Sequence, residues 1–428
     1  MKIGVVGVGH IGSVIAGELA FRGNQVIAVD IDANKIENLN SGIPPITEPG
    51  LPDLIFNTIS SGNLRGSTNY SDLDGSDLVL ITVGTPIVNG KADLSAITAA
   101  ANAVNSALSA AATIIVKSTV PPGTTRDIVS PIFARSDFLV GFVPERLAEG
   151  HAIVEFRTLP MVVGGQNPEQ SEAIARIWEK LGFETIKVGD STAAELVKLA
   201  DNAWIDLNIA FGHELAKTCD MIGTDVLAVI NAANTLKKGS SYVNILLPSV
   251  GVGGYCLTKD PYFLNTFAES VGAEMSLPRL GRRINEGAPQ YLLNRLINLK
   301  SKKNVESMLV VGIAFKNNSG DTRYSPAIEF VRLASKAGIP VAWYDPLVLD
   351  DDVPGDIVAA RITTLANRKF DAVANLAAHD DVTDLSPQQI VELISQNGTF
   401  LDGRRFLRED EIGELKLFGV NYLGVGRG

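Results

Sequence analysis

Short apolar runs alternate with helical patterns along the first 190 residues. KIGVVGV opens the chain as a buried strand, a helical pattern follows through Val14, Ile15 and Leu19, and QVIAVD predicts a second strand. Further strand candidates are 78–86, 112–120, 138–145, MVVGG and ETIKVGD. Because strands that alternate with helices form parallel sheets, this region is predicted to be an α/β domain.

The pattern changes at Ser191, where helical periodicity replaces the alternation. Apolar residues recur at helical spacing at Leu196, Leu199, Ala203, Leu207, Ala210 and Phe211. Thr192 and Glu195 have the spacing of a capping box, and the length predicts one long helix or two helices broken near Gly212. With further helices over 224–235 and about 276–299, the segment 191–300 is expected to be a helical spine and a dimer surface.

A second α/β pattern begins after SKKN (301–304), which reads as an exposed boundary. Strand candidates lie at 307–315, 340–346, 370–377 and 398–403, and SPAIEFVRLASKAG is an intervening helix. No Gly-x-Gly-x-x-Gly follows the first of these strands. The segment 301–428 is therefore predicted to repeat the architecture of the first region without its glycine loop.

Composition narrows the classes of function. The chain has 428 residues, a length that favours two or three domains. Its net charge of −11 gives little help in binding nucleic acid. No apolar run reaches the length of about 18 residues that spans a membrane, and no signal peptide is read at the start. Two cysteines and four histidines make a disulfide framework or a metal site unexpected. We therefore expect a cytoplasmic protein without a metal or a membrane segment.

The sequence GVGHIG carries the first candidate chemistry. Gly7 permits a tight turn after the first strand, Gly9 lets a pyrophosphate approach the backbone, and Gly12 lets the helix pack closely. Asp30 ends the second strand, where a carboxylate binds a ribose and repels a 2′-phosphate. The alternative is a glycine turn without a ligand. The strand–turn–helix–strand context favours a Rossmann-like domain that binds NAD rather than NADP.

Two later strands end in VGTP and KSTVPPGTT, which contain Thr85 and Thr119. In open parallel sheets, ligands bind outside the carboxyl ends of the strands. Each segment alone is ordinary turn chemistry. As consecutive strand ends they are expected to line the cofactor site.

Two further groups of polar residues leave their role open. Glu145 follows a strand and precedes Glu149, so it is either a base that acts on water or a solvated surface residue. Lys198 and Asn202 are four residues apart and share a helix face. They are either donors to a developing oxyanion or part of a polar helix surface.

The two cysteines have different surroundings. Cys219 lies in an apolar helical pattern and is expected to pack as a small hydrophobic residue. Cys256 is followed by Lys259 and Asp260, and a nearby cation favours the reactive thiolate. Three glycines precede it, and their lack of side chains would leave the approach to the thiol open: Gly251, Gly253 and Gly254. Cys256 is thus either a nucleophile on a glycine-rich loop or a residue in an ordinary turn.

Six motifs occur in order over nearly the whole chain. They are GVGHIG, STVPPGTT, PERLAEG, ELVKLADNAW, GVGGYCLTKD and FKNNSGDTRYSP. This combination resembles the UDP-glucose/GDP-mannose dehydrogenase family of NAD-dependent nucleotide-sugar 6-dehydrogenases. The resemblance implies an NAD-binding domain (1–190), a central helical dimerisation domain (191–300) and a C-terminal UDP-binding domain (301–428). The expected fold is two Rossmann-like parallel-sheet domains joined by a long central helical segment.

The family chemistry gives each candidate residue a role by resemblance. Cys256 would add to an aldehyde at the sugar C6 and carry a thiohemiacetal and then a thioester. Lys198 and Asn202 would stabilise oxyanions, Asp260 would assist proton transfer, and Glu145 would be the base for hydrolysis. The remaining implied contacts are a water held by Thr119, cofactor contacts at Thr85, Thr119 and Arg323, and substrate contacts at Leu147, Glu149, Lys198, Asn202, Tyr242, Gly253 and Lys316.

The sugar and the reaction class each retain alternatives. Tyr255 resembles UDP-glucose enzymes, whereas YVNILLP resembles the UDP-N-acetylmannosamine group. The expected activity is four-electron oxidation of a UDP-sugar, either UDP-glucose or a UDP-N-acetylhexosamine, by a homodimer. The alternatives are a two-electron β-hydroxyacid dehydrogenase, which needs neither the cysteine nor the C-terminal unit, and a non-catalytic NAD-binding scaffold.

Overall fold

The chain folds into two compact units. The computed structural model describes residues 1–427 apart from 89–90, 135–136, 300–304, 358, 366–367 and 381–384. The first unit contains residues 1–201 and 266–271, and the second contains 202–265 and 272–428. SKKN, the predicted boundary, lies outside the described residues.

The first unit is built on a six-stranded parallel sheet. Its strands are β1 (Lys2–Val6), β2 (Gln25–Val29), β3 (Leu64–Ser67), β4 (Leu78–Ile81), β5 (Ile87–Val88), β6 (Lys91–Ala92), β7 (Thr113–Val116), β8 (Leu139–Phe142), β9 (Met161–Val163) and β10 (Thr185–Lys187). The main sheet has the order β3-β2-β1-β4-β7-β8, while β5–β6 and β9–β10 form separate pairs. All four residues of β4 and of β7 are buried, as continuous apolar strands covered on both faces should be.

Helices separate these strands and cover the sheet. They are α1 (His10–Phe21), α2 (Ala33–Asn40), α3 (Leu51–Ser60), α4 (Ser95–Ala107), α5 (Ala152–Thr158) and α6 (Pro168–Lys180). Helix α7 (Ser191–Ile222) follows β10; its residues 191–201 belong to this unit and 202–222 to the second. A π-helical turn at Thr125–Val129 follows the loop after β7. The strand order is that of a dinucleotide-binding sheet, in which the loops after β1 and β4 flank the point where the order reverses.

Helix α7 is continuous through Gly212, so the first of the two expected alternatives, one long helix, is the one present. A Cβ at Gly212 would lie 2.5 Å from the carbonyl oxygen of Leu246, which shows that a close backbone approach requires the glycine. The predicted capping box is wrong. The amide of Ala193 donates to Asp190, and the Glu195 carboxylate instead accepts the amides of Gly123 and Thr125.

The second unit repeats the sheet order of the first. Its strands are β11 (Lys237–Lys238), β12 (Ser241–Tyr242), β13 (Met308–Val311), β14 (Val341–Tyr344), β15 (Ala360–Arg361), β16 (Phe370–Asn375), β17 (Ile394–Asp402) and β18 (Asn421–Gly424). The main sheet is parallel in the order β15-β14-β13-β16-β17-β18, and β11–β12 is a hairpin. The two sheets therefore share one topology, as the sequence pattern predicts.

The helices of the second unit differ from the predicted ones in two places. They are α8 (Val226–Ala233), α9 (Tyr255–Ser270), α10 (Ser276–Glu286), α11 (Ala288–Leu299), α12 (Pro326–Lys336), α13 (Pro387–Leu393) and α14 (Glu409–Leu417). The predicted helix over 276–299 is divided at Gly287 into α10 and α11. Cys256 belongs to α9 and not to a loop. Within the described part of the chain, every helix is too short or too polar to cross a bilayer.

Candidate active site

The loop after β1 has the geometry of a dinucleotide cradle. Gly7 has φ +96°, and a Cβ at Gly12 would lie 1.9 Å from the carbonyl oxygen of Gly7. A Cβ at Gly9 would meet nothing within 4 Å, so the space above its backbone is open. Helix α1 begins at His10 and has no side-chain cap, so its first amides can bind an anion. These residues fit the pyrophosphate of NAD.

Asp30 closes the same cradle. Its carboxylate accepts the amide of Val8 over 2.7 Å and that of Asp32 over 3.0 Å. Because an ionised carboxylate has about four acceptor sites, it can also receive ribose hydroxyls. Asp345 follows β14 as Asp30 follows β2, but it is buried and bonded to His379. Only the first of these two aspartates, then, is open to a nucleotide.

The structure brings the two strand-end segments of the first unit together. The Thr85 hydroxyl donates to the carbonyl oxygen of Thr119 over 2.7 Å. Thr85 is buried, whereas Thr119 is half-buried. The loops after β4 and β7 thus form one surface at the carboxyl edge of the sheet.

Glu145 is buried near the end of β8 and is not a solvated surface residue. One carboxylate oxygen accepts the amide of Leu147, and the other lies 3.4 Å from Nζ of Lys198, which is also buried. The interpretation of Lys198 as part of a solvated helix face is therefore wrong. Leu147 packs against the core of this unit, and Glu149 is half-buried. The Lys198–Glu145 contact pairs an ammonium group with a candidate base.

Lys117, which sequence analysis did not single out, faces Glu145. Its Nζ donates to the carbonyl oxygen of Val143 over 3.2 Å and lies 5.1 Å from the ring centre of Trp178. Lys117 and Glu145 both line a cavity of about 20 Å³. Burial lowers the pKa of Lys117 to about 7, although the Glu145 charge opposes the shift. The signal in the sequence was a lysine placed directly after the apolar run ATIIV.

In the second unit, a buried polar cluster surrounds Asp260. Asn202 Nδ2 donates to Asp260 Oδ2 over 2.5 Å, and Lys259 Nζ donates to Oδ1 over 2.6 Å. Lys259 also lies 4.6 Å from the ring centre of Phe263. All three polar side chains are buried, so Asn202 too is not part of a solvated face. Both oxygens of Asp260 are therefore held in place.

Cys256 is the exposed second residue of α9, one helical turn before Asp260. The dipole at a helix N-terminus favours a thiolate there. Cys219 is buried in the core of the second unit, as predicted. The described residues contain no group of three or more His, Cys, Asp or Glu side chains arranged to hold a metal.

Two of the glycines before Cys256 adopt a backbone conformation that favours glycine, since φ is +153° at Gly251 and +84° at Gly254. A Cβ at Gly253 would lie 2.6 Å from the carbonyl oxygen of Tyr324, and one at Gly254 would lie 2.7 Å from the Phe315 ring. Gly253 and Gly254 therefore accommodate the close approach of the segment after β13. The same segment brings the Arg323 guanidinium to 5.5 Å from the ring centre of Tyr255.

Two predicted substrate residues also belong to the second unit. Tyr242 is exposed in the β11–β12 hairpin. Lys316 is half-buried in the segment after β13. Their roles, like those of the other site residues, remain predictions.

Comparison with known proteins finds one family along most of the chain. Three profiles of one family match in order: the NAD binding domain of the UDP-glucose/GDP-mannose dehydrogenase family over residues 1–182, its central domain over 192–287 and its UDP binding domain over 309–409. The match to the first of these confirms NAD as the expected cofactor.

Individual proteins of known activity are similar to this chain over most or all of its length. UDP-N-acetyl-D-mannosamine dehydrogenase of Pyrococcus horikoshii is 30% identical and is aligned over 100% of both chains. NDP-N-acetyl-D-galactosaminuronic acid dehydrogenase of Ralstonia nicotianae is 36% identical over 77% of this chain and 79% of the relative. The structure of a UDP-glucose dehydrogenase from Pyrobaculum islandicum superposes with a TM-score of 0.86, covering 100% of this chain and 98% of the other at 28% identity.

These matches confirm the predicted fold class and the predicted dehydrogenase activity, and they do not favour the β-hydroxyacid dehydrogenase or scaffold alternatives. The chain belongs to the UDP-glucose/GDP-mannose dehydrogenase family.

Proposed function

We propose that this enzyme oxidises the C6 hydroxyl of a UDP-N-acetylhexosamine to the carboxylate, with Cys256 as the covalent nucleophile. The sugar class is supported by two relatives, one named for N-acetylmannosamine and the other for N-acetylgalactosaminuronic acid. The observation that carries the proposal is an exposed thiol in the first turn of α9, one turn before a buried carboxylate.

The cysteine is required because the reaction removes four electrons from one carbon. NAD, when bound, accepts a hydride in each of two oxidations, and each oxidation also releases one proton. The first oxidation leaves an aldehyde. A nucleophile must then make the carbon tetrahedral before a second hydride can depart. The Cys256 thiolate forms the new S–C bond, and the aldehyde oxygen takes a proton to give a thiohemiacetal.

Buried donors of this chain stabilise the charged oxygen in these steps. Lys198 offers an ammonium group and Asn202 an amide, and both are held by carboxylates: Glu145 for the lysine and Asp260 for the asparagine. Fixed donors in a site with little water stabilise an oxyanion without reorganising. Asp260 can accept a proton and return it, since it lies one helical turn from the sulfur.

Glu145 acts in the last step, which releases the acid. A water held by Thr119 gives a proton to Glu145 and attacks the thioester carbon, and the C–S bond breaks to release the acid and the Cys256 thiolate. The proton on Glu145 then returns to the sulfur, which restores the thiol. Glu145 suits this role because the Leu147 amide and Lys198 fix its carboxylate. Glu149 and Leu147 follow it on the same segment and are proposed to contact the substrate.

The remaining contacts complete the proposal. We assign Thr85, Thr119 and Arg323 to the cofactor, and Tyr242, Gly253 and Lys316 to the substrate. The three-part division at 190 and 300 is kept as a proposal, with a dimer formed through α7, where Trp204 is 63% and Phe211 is 50% exposed. A cytoplasmic location is proposed because the two cysteines of the chain form no disulfide, as is usual in a reducing compartment.

A panel of nucleotide sugars tests the substrate. Purified enzyme with NAD is supplied separately with UDP-N-acetylmannosamine, UDP-N-acetylgalactosamine, UDP-N-acetylglucosamine and UDP-glucose. The proposal expects the highest kcat/KM with an N-acetylated sugar, together with the corresponding uronic acid. Turnover of UDP-glucose alone would overturn the sugar assignment, and no turnover of any of the four would overturn the proposed function.

A further inference from the structure

A chain of buried hydrogen bonds in the second unit ends at the segment that precedes Cys256. It begins at Asp206 on α7, whose Oδ1 accepts Nη1 of Arg282 over 2.6 Å. Asn285 on α10 donates its Nδ2 to the same oxygen over 2.7 Å and to the Asp206 carbonyl over 2.8 Å. All three side chains are buried. Neither Asp206 oxygen can donate, so the orientation of the Asn285 amide is fixed.

The fixed amide in turn determines the tautomer of His213, which is also buried on α7. Asn285 Oδ1 lies 2.9 Å from Nδ1 of His213, so that ring nitrogen must carry the proton. Burial lowers the pKa of His213 to about 4, and the ring is therefore neutral near pH 7. Its Nε2 is then an acceptor. It accepts a hydrogen bond from the Ser249 amide over 3.1 Å. The Ser249 carbonyl oxygen lies equally far from Nε2 but forms no hydrogen bond with it, because Nε2 carries no proton.

Ser249 opens the segment 249–254, which leads directly into α9. Its hydroxyl donates to the carbonyl oxygen of Gly251 over 2.8 Å. Val250 donates its amide to Gly403 over 3.0 Å, and Gly254 donates to Arg323 over 3.2 Å. The segment is thus held at its start by His213 and at its end by the loop after β13, immediately before the reactive thiol.

We propose that His213 is the positioning residue for Cys256. Its neutral Nδ1–H tautomer fixes Ser249 and, through the segment 249–254, the first turn of α9. The inference rests on the proposed function of Cys256 and assigns the thiol's placement to a residue that does not touch the substrate. The catalytic roles of Lys198, Asn202 and Asp260 do not depend on it.

The expected defect is specific to the second half of the reaction. The first oxidation forms no bond to sulfur, so it survives when the thiol is misplaced. The aldehyde then leaves before capture, and one sugar yields one NADH, one proton and a free aldehyde. A merely destabilising change lowers the amount of active enzyme and leaves the ratio of NADH to sugar at two.

The variants His213→Phe and His213→Met remove both hydrogen bonds of the ring. One of them that folds is enough for the test. His213→Gln is the conservative variant, because its amide can accept from Ser249 and donate to Asn285. All are made in a Cys219→Ala background, which leaves Cys256 as the only thiol. That background is also the matched control, since Cys219 is a core residue of the same helix.

The first measurement is the amount of NADH and of trappable aldehyde per sugar consumed. We expect a ratio near two in the background and in His213→Gln, and near one with free aldehyde in His213→Phe or His213→Met. A ratio of two in both of the latter overturns the inference. A background ratio other than two counts against the proposed function instead.

The second measurement needs no sugar. The rate at which iodoacetamide alkylates Cys256 is expected to change at least fivefold in His213→Phe or His213→Met and to stay within twofold in His213→Gln. Unchanged alkylation in the folded variants overturns the positioning role, whatever the substrate proves to be. Should neither variant fold, an alkylation rate and NADH ratio in His213→Gln equal to those of His213→Asn, whose shorter side chain cannot make both bonds, would also overturn it.

Discussion

Asn202 donates a hydrogen bond to Asp260 over 2.5 Å, and Asp260 follows Cys256 by one turn of α9. This bond joins the long helix α7 to the helix that carries the thiol. Lys259 occupies the other oxygen of Asp260. The carboxylate is therefore oriented from both sides and excluded from water.

Replacing Asp260 with Asn is expected to impair both stability and activity. Lys259 would be left as a buried cation without its partner, which costs about 3–5 kcal/mol. If Asp260 transfers a proton as proposed, its loss is expected to lower kcat by about 10²–10⁴-fold. Urea unfolding and NADH formation measure the two effects.

A double variant separates these effects. Adding Lys259→Met to Asp260→Asn removes the unpaired charge, so most of the stability should return while kcat stays low. If activity returned together with stability, Asp260 would have only a structural role.

The open space above Gly9 predicts a defect confined to cofactor binding. The Cβ of Gly9→Val would meet no atom within 4 Å, so the fold should be retained, but the side chain would occupy the place of the pyrophosphate. NAD affinity measured by calorimetry should fall by at least tenfold with little change in Tm. Gly189→Val, at another open and exposed position, is the control and should bind NAD normally.

Gly212→Ala and Gly413→Ala should change stability in opposite directions. Both glycines lie inside helices, where alanine is intrinsically better by up to about 1 kcal/mol. At Gly413 nothing lies within 4 Å, so the gain is realised. At Gly212 the new Cβ would be 2.5 Å from Leu246 O, and overpacking costs about 1–3 kcal/mol. Thermal unfolding of the two variants checks the sign, and a stabilised Gly212→Ala would contradict the close approach.

Glu195 predicts a pH-dependent component of stability. Burial raises its pKa from 4.5 to about 7, although the Thr125 and Gly123 donors oppose the shift. Between these values the folded chain binds a proton that the unfolded chain does not. This contribution is therefore present below pH 4.5 and is lost as the pH rises through about 7.

The Glu195→Gln variant isolates that contribution. Subtracting its unfolding free energy from that of the wild type at each pH cancels His213 and the other titrating groups. From pH 4.5 to pH 7, the unfolding free energy of the wild type should fall relative to that of the variant by on the order of 2–3 kcal/mol. A difference that is flat over this range would mean that Glu195 does not titrate there.

The sheets were predictable from sequence because their strands are buried on both faces and appear as continuous apolar runs, such as LVLI in β4. The predictions that failed or stayed open involve partners distant in the chain. Glu195 has the spacing of a capping box but bonds to Gly123. At Gly212 the sequence left a continuous helix and a break open, and the close approach of Leu246 accompanies the continuous helix. Local pattern carries no information on such contacts.

The candidate site shows the same division. Residue types and their order singled out Cys256, Lys198 and Glu145 as candidates. Helical spacing placed Lys198 and Asn202 on one face but did not say whether that face was covered, and the structure buries both. Lys117 and His213 were missed because their importance lies in burial and hydrogen-bond geometry.

The covalent role of Cys256 is the central claim, and the products and the adduct formed in one turnover test it most directly. Wild-type enzyme, NAD and a UDP-N-acetylhexosamine should give two NADH and one uronic acid per sugar, and mass spectrometry of quenched enzyme should find the sugar attached to Cys256. Cys256→Ser should bind NAD with unchanged affinity and form no acid. One NADH per sugar in the wild type without an adduct, or acid formation by Cys256→Ser at the wild-type rate, would contradict the account.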